Sequence, residues 1–335
     1  MRRGATLAPS RGLGMGLGPF ALAVVIASFA GRADAFVRRV ERGKQVFWKQ
    51  TCVPVTLYFN GFERSPNKFD LSTDATIKSV VAAAHAWSAD AVTCPSGGAP
   101  YLEIVPSVAP IDAKPPAVAY DAKNSIIFRT DRWGHAEDDY DADALAVTSV
   151  TAVGSDGHLI DVDIEINATN DRYVWMNLDP GVAPPASTLG PNQDDPRSFY
   201  DLQTALTHEF GHFIGLNHTC SPADAPDVED DQGRTIPVCG DRSPPDVQST
   251  VMYATIEAGQ SAKRRLTDDE VRGVCAIYPP SAAAVAEVCK TDDPPPGCAV
   301  ATRARPLASV AVLAGAVVAS LARRRRVSDR RRARS

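Results

Sequence analysis

The amino-acid sequence predicts an α+β fold for residues 36–280, and three observations carry that prediction. A strand-forming segment at 53–60 is followed by a helical pattern from Thr73, which begins an α/β layer. Residues 159–167 alternate apolar and polar side chains with a strict period of two, and a second helical stripe starts at Leu202. The 335 residues are 44% hydrophobic and 22% charged, which excludes a wholly disordered chain and a polytopic membrane protein.

Each element has its own signal. Residues 53–60, VPVTLYFN, are rich in β-branched and aromatic side chains. From Thr73, Ile77, Val80, Val81, Ala84 and Trp87 recur at three and four, giving one apolar helix face. Residues 101–105 and 125–129 read as short strands, and 145–150 as a weaker one after an acidic loop. In 159–167, Ile160, Val162, Ile164 and Ile166 are expected on a core, with Asp161, Asp163, Glu165 and Asn167 facing outward. Residues 179–196 and 221–249 read as loops, consistent with the 26 prolines. Thr267 with Glu270 forms a capping box, and Val271, Val274 and Ile277 follow before Pro279 and Pro280 stop that helix.

The two ends read as addresses. Arg2 and Arg3, an apolar stretch at 13–30 and Ala33-Asp34-Ala35 predict a signal peptide at 1–35; a retained membrane anchor is the alternative. A Pro- and Ala-rich spacer at 281–302 leads to a hydrophobic tail at 303–335, with an uncharged run at 307–322 followed by four arginines at 323–326. The Gly-Cys at 297–298, the apolar run and the Arg cluster resemble the C-terminal sorting tails of myxobacterial surface proteins; a plain transmembrane anchor is the other reading. Either one implies membrane contact through the tail and a body outside the cytoplasm.

The formal charge of −5 hides an asymmetry. Setting aside four Arg and one Asp in 1–35, and ten Arg and one Asp in 298–335, leaves 21 basic against 38 acidic residues, a net of −17. So acidic a body repels phosphates, which argues against a nucleic-acid partner. Apart from Cys298, six cysteines remain, an even number that predicts disulfides in an exported chain. Pairing sequence neighbours gives Cys52–Cys94, Cys220–Cys239 and Cys275–Cys289, one of the 15 pairings that six cysteines allow.

The chemistry lies in DLQTALTHEFGHFIGLNHT, residues 201–219. His208 and His212 are four apart, so on a helix they point within about 40° of each other and can share a metal ion. A continued helix would carry His218 about 9 Å along the axis and out of register. The helix must therefore break first, and Gly215 stands where a left-handed residue can turn the chain back. Three neutral imidazoles on Zn²⁺ leave a fourth position for water, the arrangement of a catalytic site. Zinc lowers the pKa of that water to about 7 and polarises a carbonyl; Glu209, beside His208, is placed to take the proton and return it to a leaving amine.

HEFGHFIGLNH resembles the extended zinc signature of the metzincin metallopeptidases, and Thr219 after the third histidine is most similar to the matrixin branch. Ser249-Thr-Val-Met252-Tyr253 resembles the family's Met-containing turn, which makes Met252 a hydrophobic floor beneath the metal and not a ligand. The resemblance covers about 48–280. It implies a twisted, mostly parallel five-stranded sheet with an antiparallel edge strand, packed on two long helices, plus a C-terminal helix. It also implies an endopeptidase acting as a monomer on extracellular or envelope proteins, with a protein or peptide substrate extended along an edge strand near 145–148.

There are departures. Matrixins are often held latent by a propeptide cysteine, whereas residues 36–50 before the first strand contain none. Pro237-Val-Cys239-Gly-Asp241 superficially resembles the inhibitory motif, but it lacks the arginine, and a disulfide to Cys220 is the expected use of its cysteine. His135 and His158 lack the spacing of the family's second zinc site and read as ordinary polar residues. Glu137, Asp138, Asp139, Asp141 and Asp143 offer hard oxygens to Ca²⁺, a solvated acidic loop being the alternative.

Overall fold

The computed structural model of the chain describes residues 35–59, 69–134, 140–170, 172–178, 198–223, 228–230, 232–280 and 289. The expected signal peptide up to Asp34, the loop at 179–196, the spacer apart from Cys289, and the tail lie outside the described residues. No helix among the described residues is long and apolar enough to cross a membrane.

Three two-residue strands come first: β1 (Val37–Arg38), β2 (Val40–Glu41) and β3 (Lys44–Gln45). Then follow β4 (Cys52–Tyr58), β5 (Phe69–Asp70), α1 (Thr73–His85), β6 (Glu103–Val108), β7 (Ser125–Arg129), β8 (Ala146–Val153) and β9 (Leu159–Asn167). The C-terminal half holds β10 (Tyr173–Met176), β11 (Ser198–Asp201), α2 (Leu202–Phe213), β12 (Leu216–Asn217), α3 (Pro245–Gln248) and α4 (Asp268–Ile277). The architecture is mixed α/β around a five-stranded sheet of order β6-β4-β7-β9-β8. All neighbours in it are parallel except β8, which lies antiparallel to β9 at the edge.

Helix α1 starts where Ser72 caps it, its side chain accepting from the Ala75 N–H at 3.1 Å. It packs against α2, and the two helices with the sheet enclose Val55, Leu57, Ile126, Phe128, Val162 and Ile164. Buried indoles must find an acceptor. Trp87 donates to the Thr207 carbonyl at 2.9 Å and Trp48 to the Phe213 carbonyl at 2.8 Å, so both fasten the backbone of α2 from outside the helix. Helix α4 opens with the expected capping box of Thr267 and Glu270.

Two sequence expectations are corrected here. The polar face of β9 does not meet solvent: Asp161, Asp163, Glu165 and Asn167 are all buried. Loops cover that face and use the acids as acceptors. Asp161 takes the N–H groups of Asp121 and Ala122, both at 2.7 Å, and Asp163 takes that of Ser125 at 3.0 Å. Period-two patterning separates the two faces of a strand, but it does not reveal whether a distant loop covers the polar one.

The disulfides are the second correction: Cys52–Cys289, Cys94–Cys275 and Cys220–Cys239. Only the last joins sequence neighbours. Proximity in the fold decides pairing. The loop after α1 lies against the end of α4, where a Cβ on Gly98 would stand 3.2 Å from the Pro280 side chain, and this brings Cys94 to Cys275.

Candidate metal centre

Asp201 caps α2 by accepting from the Thr204 N–H at 2.7 Å. Its carboxylate, fully buried, also receives the Arg264 guanidinium, with Nε at 2.8 Å, and the Leu178 N–H at 2.8 Å. A buried acid so satisfied fixes where the helix begins, and hence where His208 and His212 point.

The helix ends as the glycine requires. Gly215 has φ +101°, a left-handed conformation, and a Cβ there would approach the Val46 carbonyl oxygen to 2.7 Å. Beyond it, β12 pairs antiparallel with β1, and the Arg39 N–H donates to the Gly215 carbonyl at 2.8 Å. The N-terminal segment thus holds the turned chain while His218 comes back over α2.

The three imidazoles converge. Nε2 of His208 lies 3.1 Å from that of His212 and 3.2 Å from that of His218, and the His212–His218 separation is 3.1 Å. A tetrahedral zinc with Zn–N distances of about 2.0 Å needs nitrogens about 3.3 Å apart, so the set fits such an ion. The tautomers fit as well. Nδ1 of His208 is 2.7 Å from the Val251 carbonyl and Nδ1 of His212 is 3.0 Å from the Leu216 carbonyl, which places the ring protons on Nδ1 and leaves Nε2 as lone pairs. Burial pushes His208 down to about 3, His218 down to about 4, and His212 well below the usual range, so all three are neutral at pH 7, the form that can bind a metal. Among the described residues, this is the one cluster of three or more His, Cys, Asp or Glu side chains close enough to hold a metal.

Met252 is fully buried below the helix. A Cβ on Gly211 would meet its sulfur at 2.1 Å, so glycine inside HEFGH is what lets the Met-containing turn reach α2. A glycine in a helix interior costs up to about 1 kcal/mol, and that cost was the available sequence signal for this close approach. The turn is locked from both sides: the Thr219 N–H donates to the Met252 carbonyl at 3.0 Å, and Glu270 of α4 accepts from the Met252 N–H at 3.2 Å.

Glu209 is 6% exposed and lines, with the histidines, a cleft of about 760 Å³ bordered by β8, Tyr200 and Ile256. Burial pushes its carboxyl up to about 7, while Thr148 and Arg39 pull the other way. Thr148 donates its hydroxyl to Glu209 Oε2 at 2.6 Å. The sequence placed Thr148 only at the end of a candidate substrate-binding edge strand and gave Arg39 no role, because each reaches the cleft from a distant segment.

Other candidates fall elsewhere. His158 is on the surface, 2.5 Å from Asp156, which also pairs with Lys49; His135 lies outside the described residues. Cys239 of the Pro-Val-Cys-Gly-Asp segment is tied to Cys220. Of the acids considered for calcium, Glu137, Asp138 and Asp139 lie outside the described residues; Asp143 pairs with Arg172, and Asp141 accepts from the Asp143 N–H at 2.9 Å. No protein-family model matches the chain, and no curated protein matches it.

Proposed function

We propose that residues 36–280 form an exported, zinc-dependent endopeptidase of the metzincin type, cleaving proteins or peptides outside the cytoplasm. The observation that carries this reading is the meeting of three neutral Nε2 atoms within 3.1–3.2 Å of one another, next to a buried acid that opens on a cleft. The extended HEFGHFIGLNH signature, the Met-containing turn and the antiparallel edge strand support it. Three disulfides fit export, and the acidic body together with the hydrophobic tail at 303–335 fits display at the cell surface.

His208, His212 and His218 would hold the zinc, which when bound supplies a low-pKa water and polarises a carbonyl. Glu209 accepts the proton of the attacking water and delivers it to the departing amine as the C–N bond breaks. The peptide is positioned by β8. Leu145 turns its carbonyl to the Asn167 N–H at 2.9 Å, so by strand alternation Ala146 turns its backbone groups to the free edge, where an extended peptide can pair with them.

The test uses the purified, zinc-loaded protein and denatured casein. Cleavage that stops with a chelator, and that Glu209→Ala abolishes while zinc stays bound, is the expected result. Stoichiometric zinc on a stably folded chain with no cleavage across a broad peptide library would instead assign the metal to structure.

A further inference from the structure

Strand β8 carries one hydroxyl in an apolar row. Ala146, Thr148 and Val150 share a face, and Ala146 and Val150 pack on the hydrophobic core. Thr148, between them, is 8% exposed. Nothing in the packing of that row requires an oxygen. The Thr148 Oγ1 stands 2.6 Å from Glu209 Oε2 and 3.2 Å from the Glu209 carbonyl; a hydroxyl has one proton, and the shorter contact to a carboxylate is where it is held.

We propose that Thr148 is a positioning residue for the general base: its hydroxyl fixes the Glu209 carboxylate through Oε2 and leaves Oε1 to take the proton of the attacking water. This role rests on the hydrolase reading above. Among the described residues, no hydrogen bond engages Glu209 Oε1. Thr148 is itself fixed on two sides. It lies opposite Ile164 in the β8–β9 register, and its carbonyl accepts from the Arg39 guanidinium at 3.3 Å. The base is therefore registered to the same strand that positions the peptide, so proton acceptor and scissile bond share one frame. A carboxylate free to rotate would lose that registration, and misplacement of a reacting group by about 1 Å costs on the order of 10²-fold in rate.

The experiment compares wild type with Thr148→Val, Thr148→Ala and Thr148→Ser, each at one zinc per chain, by steady-state cleavage of an unfolded-protein substrate and by thermal unfolding. The two variants without a hydroxyl should lose about 10- to 100-fold in kcat with KM and zinc content unchanged, and Thr148→Ser should restore most of kcat. Thr148→Ala covers the case in which valine does not fit. Wild-type kcat in either hydroxyl-free variant, a change in KM alone, or a loss in Thr148→Ser equal to that in Thr148→Val would overturn the role. A wild type with zinc but no turnover defeats the hydrolase reading itself and takes this role with it, whereas an active wild type with an equally active Thr148→Val defeats the Thr148 role alone.

Discussion

The two faces of the sheet at β8 each bury a glutamate, and they treat it differently. On one face, Glu165 lies opposite Val147, with Arg129 donating to Oε1 and the Tyr140 hydroxyl donating to Oε2 at 2.8 Å. On the other, Glu209 of α2 meets the next residue of the strand, Thr148, and receives a neutral hydroxyl. Glu165 is thus tied to a guanidinium from the neighbouring strand and to a tyrosine hydroxyl, whereas Glu209 has, among the described residues, a threonine hydroxyl alone. Burial without a directly bonded cation is what pushes the Glu209 carboxyl up to about 7.

Exchanging each acid for its amide sharpens that contrast. Glu209→Gln should lower turnover by about 10³-fold or more while leaving zinc bound, and should leave thermal stability equal or higher, since a buried acid is removed. Glu165→Gln should do the reverse, costing about 3 kcal/mol in urea unfolding because the Arg129 charge is left without its partner, with kcat of the folded fraction unchanged. Similar stability losses for both substitutions would erase the distinction between the two faces.

A smaller effect probes the loop-covered face by pH. Burial, with Asp161 beside it, pushes the Asp163 carboxyl from 3.8 up to about 7. A raised value in the folded state means the stabilisation is full below about pH 4 and is lost as pH rises through about 7. From pH 5 to pH 8, wild type should lose on the order of 2 kcal/mol from this group, and Asp163→Asn, which keeps the acceptor for the Ser125 N–H, should lose that much less. Parallel stability curves for the two proteins would show that Asp163 is ionised in the fold throughout.

What the sequence disclosed was local. Helix α2 was legible because its apolar stripe and the 208/212 spacing repeat at the helical period, and the break at Gly215 follows from where His218 must return. Strand β9 was legible from alternation, but the fate of Asp161, Asp163 and Glu165 was not, since the covering residues 121–125, 129 and 140 come from other segments. The same limit explains the disulfides: Cys220–Cys239 closes a short loop, whereas the partners of Cys52 and Cys94 lie 237 and 181 residues away. Strands β1, β10, β11 and β12, of two to four residues each, are too short for any period to show, although β1 with β12 braces the turn that presents His218.

The central claim is that one zinc on His208, His212 and His218 makes this chain a hydrolase with Glu209 as its base. Its most direct test is to strip the metal and titrate zinc back while following cleavage of casein. Turnover should rise in proportion to added zinc and level off at one ion per chain. Full activity in the stripped protein, or a chain that fills with one zinc and still cuts nothing, would contradict it.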